Sequence, residues 1–303
     1  MVELLSIMLN VISPIFIIVG IMIVIARRLN PDPRGLSTLL VYLFIPSLAF
    51  TGIVQSDLRG GEVIGLAAVA VTMSLLMALI GLGVSRLAKF DRKLESAFLI
   101  SIILVNAANY GIPLNRFAFG PDGERQAIIY YVMSVMMGNV LGVYFASRGE
   151  ASVKAAVLNV LKVPIAYAAL AGLIVNLAEI TLPLPLERAI GILSQASVPG
   201  MLALLGLKLA ETSLRVRWRP LLLATGIRLV LAPFIAFPLA ALLGLTGVTF
   251  QVAIVESSMP TAVLANALAT QFNSDTEFTS AVTLVSTLAS IVTLSILIAL
   301  LTV

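Results

Sequence analysis

Ten runs of about twenty predominantly apolar residues, parted by short gaps, leave this chain little choice of fold. In lipid every backbone polar group must be satisfied internally, so only helices and closed barrels cross a bilayer. None of the runs alternates with a two-residue period, which argues against barrel strands. The expected helical spans are 4–26, 35–55, 62–86, 95–118, 125–146, 153–177, 187–210, 218–243, 248–272 and 277–301. The fold class that follows is an all-α polytopic membrane protein, and the gaps are too short for an inserted soluble domain. The residues before position 26 begin Met-Val-Glu, without a basic stretch or a small-residue cleavage site, and read as a retained span.

Composition narrows the chemistry. The chain is 60% hydrophobic and 11% charged, with a mean hydropathy of +1.09. It has neither cysteine nor histidine, so no disulfide, thiol nucleophile, imidazole relay or His-ligated metal is available, and no cofactor is expected. An intramembrane protease would need a paired aspartate, a zinc motif or a serine with its base, and none is apparent; the reading is not an enzyme. A receptor would be expected to carry a soluble output domain. The net charge of +4 does not point to nucleic acid, because the basic residues sit in the gaps between apolar runs.

Those gaps orient the chain. Gaps 1–2, 3–4, 5–6 and 7–8 hold Arg27, Arg28, Arg34, Arg86, Lys89, Arg92, Lys93, Arg148, Lys154, Lys162, Lys208, Arg215, Arg217 and Arg219. The alternate gaps hold only Arg59, Arg116, Arg125 and Arg188. The basic gaps face the cytoplasm, which puts both termini outside. Gap 9–10 has Asp275 and Glu277 on the inner side, but acidic residues count little in this rule.

The halves echo each other in their prolines. Pro14, Pro46 and Pro113 are followed by Pro164, Pro199 and Pro260 at offsets of 150, 153 and 147. A five-span unit repeated once must enter the membrane upside down the second time. The expectation is two inverted repeats, 1–150 and 151–303, on the plan of secondary transporters.

The third proline pair falls inside spans 4 and 9. Proline removes a backbone donor and crowds the preceding turn, and Gly111 permits a non-helical backbone. Span 4 is expected to break at Asn109–Pro113 and span 9 at Ser257–Pro260, giving half-helices that cross at mid-membrane. Each second half-helix would begin with free N–H groups and a positive dipole end, and two such ends in one cavity make an anion site. The candidate substrate-binding residues are Asn106, Asn109, Tyr110, Gly111, Pro113, Ser257, Ser258, Pro260 and Thr261. The bland alternative is an ordinary kink healed by neighbouring side chains, with Tyr110 merely packing. Gly81 and Gly83 are expected to allow close helix contact.

Two ionisable residues lie near mid-depth, Arg228 in span 8 and Glu256 in span 9. Intramembrane charge is a functional-site hypothesis by default. Either the two form a static pair between spans 8 and 9, or Glu256 carries coupling protons and Arg228 lends positive charge near the anion. Span 3 has no Asp or Glu between 63 and 85, which argues against an acid-rich Na⁺ site.

At Asn106-Ala107-Ala108-Asn109-Tyr110-Gly111-Ile112-Pro113 the sequence resembles the auxin efflux carrier family, whose fourth span reads N-x-G-N-x-G-x-P. Ala108 stands where the family has its first glycine, and Pro260 matches the ninth-span proline. The resemblance covers the whole chain. It implies a scaffold of spans 1, 2, 6 and 7, a transport unit of spans 3–5 and 8–10, elevator-type alternating access, and a homodimer through the scaffold. It also implies a small organic anion as substrate, carried across the cytoplasmic membrane. The alternative on the same plan is a sodium-coupled bile-acid-type symporter.

Overall fold

The computed structural model describes residues 2–56, 61–147, 163–211 and 217–302. Arg59, Arg148, Lys154, Lys162, Arg215 and the first ten residues of the expected sixth span lie outside them. All regular structure among the described residues is helical, apart from one isolated backbone bridge. Among the described residues seven helices are long and apolar enough to cross a membrane: α1 (Leu5–Leu29), α2 (Pro33–Val54), α3 (Gly61–Leu87), α5 (Ala107–Ala146), α7 (Leu184–Ala210), α8 (Trp218–Leu242) and α11 (Thr276–Thr302). Shorter helices are α4 (Arg92–Ile103), α6 (Pro164–Leu177), α9 (Gly247–Ser257) and α10 (Val263–Gln271). Within α5 the chain turns at Gly120, whose φ of 70° only glycine adopts readily, so 107–119 and 121–146 are separate rods.

Large apolar side chains lie on both sides of the helices. On α1, Ile12, Ile15 and Val19 are buried while Ile17, Ile21 and Val24 are exposed, the pattern of a helix packed on one face and greased on the other. Small residues set the closest approaches. A Cβ on Gly206 of α7 would meet the Val19 carbonyl of α1 at 2.7 Å, and one on Gly172 of α6 would meet the Phe50 carbonyl of α2 at 3.0 Å. Gly81 plays this part for α3 against Leu99 and Ile102 of α4, but Gly83 faces open space. The end of α2 is capped from α6, where Asn176 Nδ2 donates to the carbonyls of Ile53, Val54 and Ser56 at 3.1, 2.8 and 2.9 Å.

The prolines do not all break helices. Among the described residues five π-helical turns interrupt the spans, and four of them, Met8–Ile12, Leu40–Phe44, Ala107–Gly111 and Ile227–Leu231, end two residues before Pro14, Pro46, Pro113 and Pro233. A proline ring crowds the carbonyl one turn back and offers it no N–H. Widening that turn by one residue moves the carbonyl away and keeps the helix running. Pro113 is therefore not a break point, and Gly111 is helical at φ −64°, ψ −52°.

The break in span 4 comes earlier than expected, at Leu104–Asn106, where Leu104 is extended (φ −85°, ψ 110°) and Asn106 leaves the helical region. Span 9 breaks where expected, with Pro260 in the gap between Ser257 and Val263. The two breaks run antiparallel, with Val105 opposite Thr261. Asn106 N–H donates to the Pro260 carbonyl at 2.9 Å, and Ala262 N–H to the Leu104 carbonyl at 2.8 Å. Each extended segment satisfies the backbone that the other leaves open, as a dry setting demands.

Candidate functional site

A cavity of about 440 Å³ opens beside this crossing. Its walls include Leu104, Asn106, Ala108 and Asn109 from the first break and Ala262, Val263 and Leu264 from the second. The remaining wall comes from α2, α5, α6 and α7, with Ser37, Ser134, Asn139 and Lys208 as its polar members. Both second half-helices start here. On the α5 side Gly111 N–H is the first to close a turn, onto the Asn106 carbonyl at 3.0 Å, so the N–H groups of the turn before it have no helical acceptor. On the α10 side the first closure is Ala265 N–H to the Ala262 carbonyl, also at 3.0 Å. Two positive helix ends thus face one space.

The side chains add donors. Asn106 is only 3% exposed, and its Nδ2 has no hydrogen-bond partner within the protein. A buried amide left open in this way is uncommon and marks a place for another group. Asn109 is half-buried on the same wall. Lys208 sits at the rim, where its Nζ lies 3.2 Å from Glu211.

The other expected binding residues do not line the cavity; they are taken up in packing and in hydrogen bonds within the protein. Tyr110 is fully buried, with its ring edge-on to Phe16 at 5.7 Å and its hydroxyl 3.4 Å from Ser290 Oγ. Ser257 shares a 3.0 Å hydrogen bond with the Tyr130 hydroxyl. Ser258 Oγ donates back to the Ile254 carbonyl, and Thr261 Oγ1 to the Ser101 carbonyl, both at 2.7 Å. Pro260 offers its carbonyl to Asn106, and Gly111 and Pro113 lie inside α5. Of the nine expected binding residues, Asn106 and Asn109 line this cavity.

Glu256 and Arg228 are both buried, and they are not paired with each other. Glu256 Oε1 accepts from Asn115 Nδ2 at 2.8 Å, and Oε2 has no partner within the protein. Its carboxyl presses on Gly111, where a Cβ would lie 2.7 Å from the carboxyl carbon. Arg228 instead donates only to backbone: Nη2 to the Ser257 and Met259 carbonyls at 2.9 and 2.6 Å, Nε to Met259 at 3.2 Å, and Nη1 to Ile102 at 3.4 Å. Neither lines the cavity. Asn115, Ser134 and Asn139 carry no motif in the sequence, and Lys208 figures there only as a topology charge. The signal for Asn115, Ser134 and Asn139 is a polar side chain inside or at the end of an apolar run.

A second cavity, of about 590 Å³, lies between the same groups of helices at the other ends of α2 and α7. Leu48, Thr51 and Gly52 of α2, Gln55 just after it, and residues between 191 and 202 of α7 wall it, whereas the first cavity uses residues between 37 and 45 and between 204 and 208. Arg116 and Glu124 of α5 close one side of it, with Arg116 Nη1 donating to both carboxylate oxygens at 3.0 and 2.9 Å.

Comparison with known proteins meets this geometry from another direction. Residues 7–298 match the family described as membrane transport protein. An uncharacterized transporter of Methanothermobacter thermautotrophicus is 30% identical over 269 residues, covering 87% of each chain. An uncharacterized transporter of Methanocaldococcus jannaschii is 26% identical over 271 residues, covering 86% of this chain and 87% of its own. A multi-pass helical chain with interrupted, crossing helices and a family match across nearly its whole length belongs to the membrane transport protein family, the auxin efflux carrier group that its Asn106–Pro113 motif resembles.

Proposed function

We propose that this protein is a secondary carrier of small organic anions, carboxylates foremost. One observation carries the reading: the N-terminal ends of two half-helices meet at one cavity that Asn106, whose buried Nδ2 has no partner within the protein, helps to line. Oriented N–H groups and a positive dipole end stabilise an anion without placing a mobile cation in lipid. The volume lies in the range of small-molecule sites. The chain crosses the cytoplasmic membrane ten times as two inverted halves, 1–150 and 151–303, with both termini outside.

The two cavities support alternating access. They lie at opposite ends of α2 and α7, along the seam between α1, α2, α6 and α7 and the remaining helices. Sliding the second group along the first carries the crossing from one cavity to the other, which is elevator movement. The first cavity borders Lys208 and the start of α6, on the side the basic gaps assign to the cytoplasm, so the conformation described faces inward. The scaffold helices supply the contact of a homodimer.

The test is a thermal-shift screen of purified protein against mono- and dicarboxylates, followed by flux of each stabilising anion in proteoliposomes. Binding stabilises in proportion to the logarithm of ligand concentration over its dissociation constant. Stabilisation by carboxylates, lost in Asn106→Ala, is the expected result. Stabilisation by neutral or cationic solutes alone would sink the anion reading, and binding without flux would sink the carrier reading.

A further inference from the structure

Three carbonyls at the crossing have lost their helical partners. In unbroken helices those of Ile102, Ser257 and Met259 would accept from the N–H groups of Asn106, Thr261 and Val263, four residues on. Asn106 N–H goes to the Pro260 carbonyl, Thr261 N–H to Ser286 Oγ at 3.2 Å, and Val263 opens a new helix. Ile102 also lies in the last turn of α4 and Ser257 at the end of α9, where the helix dipoles leave partial negative charge. The result is a dry cluster of converging oxygens, the opposite pole of the structure whose N-terminal ends face the cavity.

Such clusters, made from unwound carbonyls and half-helix C-terminal ends, are where membrane carriers coordinate a coupling cation. Here the place is taken. Arg228 stands in the π-turn Ile227–Leu231 of α8, 1% exposed, and its guanidinium donates to all three carbonyls through four hydrogen bonds. None of the ion pairs among the described residues includes it. A planar, delocalised, permanently charged fork suits this task better than an ammonium does. The widened turn that accommodates Pro233 is also the turn that carries Arg228 toward the crossing.

We propose that Arg228 is a tethered cation: its guanidinium permanently fills the carbonyl cluster in which a coupling Na⁺ would otherwise bind, so the crossing is neutralised and held together without an alkali ion. The proposal deepens the carrier reading, since it predicts a sodium-independent cycle. The cluster itself is tested without transport. Removing the side chain leaves a cavity lined by oxygens that accepts a free cation in its stead.

The experiment compares melting temperatures of the purified wild type, Arg228→Ala and Arg228→Lys in choline, sodium and potassium chloride at equal ionic strength. Ethylguanidinium is added at low millimolar concentration as a soluble replacement for the missing group. The wild type is expected to melt alike in all three salts. Arg228→Ala is expected to melt lower in choline and to recover, saturably, with ethylguanidinium or Na⁺. Arg228→Lys is expected to lose less and to ignore Na⁺.

A wild type stabilised by Na⁺ over choline overturns the proposal, because an occupied cluster has no room for the ion. An Arg228→Ala protein that melts like wild type in choline overturns it too, since the carbonyls then need no cation. A loss that neither cation restores reduces Arg228 to packing. Should the alanine variant fail to fold, the salt series on wild type and Arg228→Lys still decides. Anion flux enters none of these readings, so failure of the carrier assignment would be seen separately.

Discussion

Replacing Gly111 with alanine tests the contact on which the crossing turns. Gly111 is helical, so alanine suits its backbone and by propensity alone would stabilise α5. The new methyl would nevertheless lie 2.7 Å from the Glu256 carboxyl carbon and closer still to both oxygens. That carboxyl has no exposure through which to swing away, and Asn115 Nδ2 holds it at 2.8 Å. Overpacking of this kind costs about 1–3 kcal/mol, and losing the Asn115 hydrogen bond adds about 0.5–1.5 kcal/mol. Gly111→Ala should therefore destabilise by about 2–4 kcal/mol. Glu256→Ala empties the space that the methyl needs, so in the double variant the overpacking disappears. The coupling between the two substitutions should be about 1–3 kcal/mol, well outside the error of a cycle. Equilibrium unfolding of the four proteins by SDS titration in mixed micelles measures it. A Gly111→Ala protein within about 0.5 kcal/mol of wild type, or losses that simply add, would refute the contact.

Pro113→Ala should let the π-turn Ala107–Gly111 relax toward α-helix while leaving the break at Leu104–Asn106 in place, because that break is held by Pro260 and Ala262. Flux should survive in it, and collapse of flux would restore Pro113 as the break point. Asn106→Ala and Asn109→Ala should each weaken anion binding by about 1.5–3 kcal/mol, roughly ten- to a hundredfold in Kd, without lowering the melting temperature of the unliganded protein. Tyr130→Phe removes the 3.0 Å bond to Ser257 and should cost about 1 kcal/mol of stability, read in the same SDS titration. Asp91 caps α4, and the Leu94 N–H, with a lesser contribution from Arg217 beside it, holds the carboxyl below its ordinary value against the opposing effect of burial. A depressed folded-state value means stability that is present above the ordinary carboxylate range and lost as pH falls through the folded one. Asp91→Ala should thus cost about 0.5–2 kcal/mol near neutrality, with the gap to wild type closing in acid; a gap that does not change with pH would remove the charge from the account.

The apolar runs determined by themselves that this chain is helical and membrane-spanning, because lipid offers an unpaired backbone no alternative. They determined most helix ends as well: the expected 62–86 and 277–301 emerge as Gly61–Leu87 and Thr276–Thr302. Where a breaker sits in the break itself, as Pro260 does, the sequence located it. The resemblance of Asn106–Pro113 to a transporter motif pointed to the right family and to the two amides that line the cavity. Only the tertiary structure decided the rest. Nothing local in Leu104-Val105-Asn106 forbids a helix; the segment is extended because the second break lies opposite it, where the Pro260 carbonyl and the Ala262 N–H take up its backbone bonds. Pro113 looked like the breaker, but a π-turn absorbs it, a choice that weighs hydrogen bonds along the helix and leaves no mark in residue type. Arg228 and Glu256 looked like partners by charge and depth. Their actual partners are backbone carbonyls and Asn115, groups far away in the chain that only the crossing of the helices brings within reach.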